Sequence, residues 1–126
     1  MPMNYLLVFI GGGIGASLRH AVNVGCARAC GLNFPYGTFV VNITGSLIMG
    51  LVAGYLAFKG EASQPWRLLV MTGVLGGYTT FSAFSLDAVT LYERGEIGIA
   101  LFYVLGSVVL SIVGLVGGLA LVRHFA

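Results

Sequence analysis

The stretch LLVMTGVLGGYTTFSAFSL, residues 68–86, is apolar enough to cross a bilayer, yet its centre holds Gly73, Gly76, Gly77, Thr79 and Thr80. Glycine lowers helix propensity and lets the backbone leave helical angles, and a threonine hydroxyl can satisfy a freed carbonyl. A backbone break at this depth is tolerated only where protein, water or an ion meets the released polar groups. The stretch therefore predicts a discontinuous membrane helix. Helix amino-terminal N–H groups favour an anion and carboxy-terminal carbonyls favour a hard cation, so the break itself is open to either ion sign.

The rest of the 126-residue chain agrees with a membrane setting. It is 58% hydrophobic and only 8% charged, with a mean hydropathy of +0.98. A soluble domain carries roughly 25% charged residues, so this chain cannot cover a water-facing surface. The net charge of +2 comes with six scattered basic residues, which disfavours nucleic-acid binding, because tracking phosphates needs clustered Lys or Arg. Cys26 and Cys30 form neither a CxxC pair nor a set of metal ligands and are read as small packing residues.

Four crossings of about 20 residues or more fit the length. They are predicted near residues 4–29, 36–58, 66–92 and 97–122, within a single domain spanning 1–126. The amino terminus has no basic region, and further apolar runs follow it, so it is read as a retained crossing rather than a cleaved signal. CGLNFPYG supplies turn chemistry after the first crossing, and the hydrophilic KGEASQP, with Lys59 and Glu61, follows the second. Gly11 and Gly15, Gly50 and Gly54, and Gly114 and Gly118 have the spacing that permits close helix approach. Lys59, Arg67 and Arg123 fall towards one membrane side and Arg19, Arg28 and Arg94 towards the other. This even division gives no positive-inside bias, which predicts copies inserted both ways and paired antiparallel.

Polar candidates surround the break without a formal charge beside it. Phe81 and Phe84 share a helix face; their ring edges carry positive potential that suits an anion, while their faces attract cations. Asn42 has an amide donor, with Thr38 one turn before it, and Tyr103, Ser107 and Ser111 form a hydroxyl stripe on the last helix. Such groups replace part of a hydration shell without creating a deep well, so together they point to passage or binding of a small anion. Arg19 is placed to raise anion concentration at a pore entrance by long-range attraction.

Through GGGIGASLRH (11–20), GTFVVNITGS (37–46) and above all GGYTTFSAFS (76–85), nearly the whole chain resembles the small fluoride channels of the Fluc family, also called CrcB proteins. The resemblance implies an all-α membrane protein of four transmembrane helices with a broken third helix. It implies an antiparallel, dual-topology homodimer in the cell inner membrane, through which fluoride leaves the cytoplasm passively by two pores. It assigns the fluoride path to Phe81, Phe84, Asn42, Tyr103, Ser107 and Ser111, and the pore entrance to Arg19. A structural Na+ is implied at the dimer centre, held by the backbone carbonyls of Gly76 and Thr79. Relatives often have threonine where this chain has Ala83.

Two rivals share the size and hydropathy. A small dual-topology multidrug transporter would want a membrane-embedded acid, but the first crossing has none, and Asp87 lies near the far end of the third. A non-transporting assembly protein would use the glycine faces for packing alone. An enzyme is disfavoured because Ser82, Ser85, His20, His124 and Asp87 form no local nucleophile with an oriented base.

Overall fold

A computed structural model describes residues 2–59 and 64–125; the connector residues 60–63, Glu61 among them, lie outside the described residues. Helix α1 runs Pro2–Cys30 and α2 Tyr36–Lys59. The third crossing has two parts. Its first part, α3 (residues 64–78), is a nine-residue π-helical stretch, Arg67–Leu75, between short α-helical ends. Its second part, α4, is Phe81–Glu93, and α5, Ile97–Phe125, closes the bundle. All four crossings are long and apolar enough to span a membrane.

The turns have local causes. Gly31 ends α1 at φ +87°, and its N–H donates to the Ala27 carbonyl at 3.0 Å. Gly95 ends α4 at φ +83°, with bonds from Gly95 N to Tyr92 O (3.0 Å) and from Glu96 N to Leu91 O (3.1 Å), the pairing of a Schellman cap. A side chain at either glycine would be strained in this left-handed region.

The helices pack as two close pairs. α1 lies along α3, with Gly11 against Gly73 and Gly12 against Gly77; a Cβ on Gly77 would come 2.6 Å from the Gly12 carbonyl oxygen. Gly15 faces the backbone of Val74. α2 lies along α5, with Gly50 on the Leu115 carbonyl and Gly118 on that of Leu47. Close backbone approach of this kind is what associates helices where lipid removes the hydrophobic driving force between them.

The buried core is correspondingly small. Phe84, Leu91, Ala100 and Tyr103 form it, edged by Phe34 and Phe39, with the Phe34 and Tyr103 rings edge-to-face at 5.4 Å. Outward faces are apolar instead, as with Phe9, Ile112 and Val113. Such a surface suits acyl chains and makes the chain a multi-pass membrane protein.

Candidate functional site

The break falls at Thr79 and Thr80, both extended (φ −80°, ψ 159° and φ −152°, ψ 126°). Gly76 and Gly77 stay helical. The glycines therefore act differently from the sequence reading: Gly73 and Gly77 admit α1, while the β-branched threonines leave the helix. From α2, Gly45 makes room for the Thr79 methyl and the Tyr78 ring.

Hydrogen bonds around the break come from three directions. The last regular turn closes with Thr79 N–H donating to the Leu75 carbonyl at 3.0 Å, and the Thr79 hydroxyl donates to the same oxygen. A helix end leaves its last four carbonyls without an intrahelical donor, here those of Gly76, Gly77, Tyr78 and Thr79. Arg19 Nε, from α1, donates to the Gly77 carbonyl at 3.1 Å. From α2, the Asn42 amide grips the Thr80 backbone twice, accepting from Thr80 N–H at 2.8 Å and donating to Thr80 O at 3.0 Å. The Thr80 hydroxyl then caps α4 by accepting from Ala83 N–H at 3.2 Å.

Beside the break lies a groove of about 430 Å³ between α2, α4 and α5. The structure brings Asn42, Phe81, Phe84, Ser107 and Ser111 together on its wall, with Thr79 and Thr80. Phe81 is 78% exposed and Phe84 only 8%, their ring centres 5.6 Å apart. Ser107 is buried, and its Oγ has no hydrogen-bond partner among the described residues. An orphaned hydroxyl in hydrocarbon is costly unless a ligand or water meets it.

Two predicted residues stand away from that wall. Tyr103 is fully buried behind Phe84, ring centres 5.2 Å apart, and its hydroxyl donates to Asp87 Oδ2 at 3.1 Å. Arg19 lies on the α1 side, bound to the Gly77 carbonyl. Thr38, Ala83 and Asp87 line a second pocket of about 360 Å³ under the loop that joins α1 to α2, with Arg94 at the same end. Among the described residues no group of His, Cys, Asp or Glu could hold a metal. A hard cation here would rely on carbonyl oxygens, and Gly76 and Thr79 offer two of the four that the break releases.

Sequence reasoning did not find the Asn42–Thr80 clamp, the Arg19–Gly77 bond or Ser46, which also lines the groove. For Ser46 a signal existed: it lies four residues after Asn42 and so shares its helix face.

The family described as "CrcB-like protein, Camphor Resistance (CrcB)" matches residues 6–119. A protein of Nitrobacter hamburgensis named fluoride-specific ion channel FluC 2 is 73% identical, over 97% of this chain and 98% of its own length. Proteins named fluoride-specific ion channel FluC from Rhodopseudomonas palustris (strain BisB5) and Methylobacterium nodulans are 64% and 52% identical, over 96% and 98% of this chain and 98% of each relative.

Proposed function

Because the chain belongs to the CrcB-like family, we propose that it is a passive, fluoride-selective channel of the cell inner membrane and not an enzyme. The observation that carries this reading is the groove beside the break, whose wall brings Ser107, with its buried and orphaned hydroxyl, together with Phe81 and Phe84. Fluoride is strongly hydrated, so a dry route must return hydrogen bonds as it removes water. Ser107, Ser111 and the spare N–H of the Asn42 amide offer donors, and the ring edges offer positive potential. Weak successive contacts of this kind permit conduction. Tyr103 supports the Phe84 ring from behind, and Arg19 adds positive charge near the break.

The working unit in this proposal is an antiparallel homodimer with two pores. The even division of basic residues supports it, as does the 78% exposure of Phe81, a ring that a second copy would cover. Paired copies would bring Gly76 and Thr79 carbonyls from both chains to one centre, and an Na+ held there would neutralise those oxygens and fasten the broken helices. Loss of dimer stability on exchanging Na+ for a large organic cation is the expected result; unchanged stability would remove this part of the proposal.

Fluoride efflux from vesicles holding the purified protein tests the whole. Rapid fluoride release with little chloride release is expected. Equal passage of both ions, or no release from a folded dimer, would overturn it.

A further inference from the structure

Hydroxyls in apolar helices ordinarily bond back to a carbonyl three or four residues earlier. Thr44, Ser85 and Thr90 do so, to Val40 O at 2.7 Å, Phe81 O at 2.9 Å and Leu86 O at 2.8 Å. Ser46, Ser107 and Ser111 make no such bond among the described residues, and all three line the groove. Ser46 lies one turn beyond Asn42 on α2, and Ser111 one turn beyond Ser107 on α5. The close α2–α5 contact at Gly50 and Gly118 fixes the two helices against each other.

We propose that Ser46 is an ion-contacting residue: with Asn42 it forms a second row of donors on α2, facing the Ser107–Ser111 row, and its O–H donates to the anion as it passes. This rests on the fluoride-channel reading and adds a wall to it. With Asn42 alone on α2, the ion would meet a donor on that side at one point only, against two on α5. Two rows let a small anion exchange one hydroxyl for the next across the groove while a second contact holds it. The unspent Ser46 hydroxyl is the group that completes this arrangement.

The test compares Ser46→Ala, Ser46→Thr and Ser107→Ala with the parent in fluoride-loaded vesicles, reading fluoride and chloride efflux. Ser46→Ala deletes one oxygen and is expected to slow fluoride efflux about tenfold, the weight of one hydrogen bond to a charged group. Ser46→Thr, which keeps a hydroxyl, is expected to retain most of the rate, and chloride exclusion is expected to hold throughout. A parental rate in Ser46→Ala with a slowed Ser107→Ala would overturn the second row while leaving the channel reading in place. Equal losses in Ser46→Ala and Ser46→Thr would also overturn it, since shape and not the hydroxyl would then matter. Absence of fluoride efflux from the parent itself would instead strike the underlying reading.

Discussion

Against α1 the third crossing presents bare backbone; against α2 and α5 it presents rings and hydroxyls. On the first side Gly11, Gly15, Gly73 and Gly77 lie so close to backbone of the facing helix that a Cβ on any of these four would strike main-chain atoms. On the second, a groove of about 430 Å³ stays open beside extended Thr79 and Thr80. The break is thus anchored on one face and irregular on the other. Side chains added to the closed face should therefore cost structure, and side chains removed from the open face should cost transport.

Gly15→Val probes the closed face and carries the largest expected effect. Its Cβ would collide with the Val74 carbonyl and lie 2.8 Å from Tyr78 N, backbone that cannot step aside. Overpacking here is expected to cost about 3 kcal/mol or more, seen as a large fall in the thermal unfolding midpoint in detergent. A parental midpoint would mean that α1 and α3 do not meet as described.

The two phenylalanines divide the open face. Phe84 is buried against Tyr103, so Phe84→Ala is expected to cost about 3 kcal/mol of stability as well as fluoride efflux. Phe81 stands 78% exposed on the single chain, so Phe81→Ala is expected to cost the fold of the chain much less than Phe84→Ala, its loss falling on fluoride efflux and on contact with a second copy. Matching stability losses in the two variants would show that the second ring is as much a packing element as the first.

Asn42→Ala comes next, at about 2 kcal/mol, because it strips the Thr80 N–H and C=O of their partner in one step. Efflux should fall with it, since Phe81 directly follows the clamped residue. Native-state hydrogen exchange at Thr80 would check the assignment: fast exchange is expected in the variant and slow exchange in the parent.

These contrasts also explain what could be read ahead of the structure. The four crossings were legible because charges and turn residues bound long apolar runs, and Ile97 and Tyr36 begin helices where the polarity changes. The interruption was legible as well, but its position was not. Glycine propensity points to Gly76 and Gly77, whereas the residue that stabilises the extended conformation is Asn42, 38 positions away. Arg19 and Gly77 are 58 positions apart, and their bond follows from the register of α1 on α3, which hydropathy does not encode. Of the groove wall, four-residue spacing paired Ser107 with Ser111 and three-residue spacing paired Phe81 with Phe84, whereas Tyr103 turns its hydroxyl to Asp87 and Ser46 joins the wall.

Tyr78→Phe should produce the smallest change and thereby mark where the open face ends. The Thr44 hydroxyl already donates to the Val40 carbonyl at 2.7 Å, so in its 2.9 Å contact with Tyr78 the phenol is the donor. Deleting that phenol leaves Thr44 with its own proton still engaged and strands no buried donor, which limits the cost to about 1 kcal/mol. Neither hydroxyl lines the groove, so fluoride efflux should stay at the parental rate. A large loss of efflux in Tyr78→Phe would extend the transporting surface one residue before the break, and the contrast between an anchored α3 and an open α4 would have to be redrawn there.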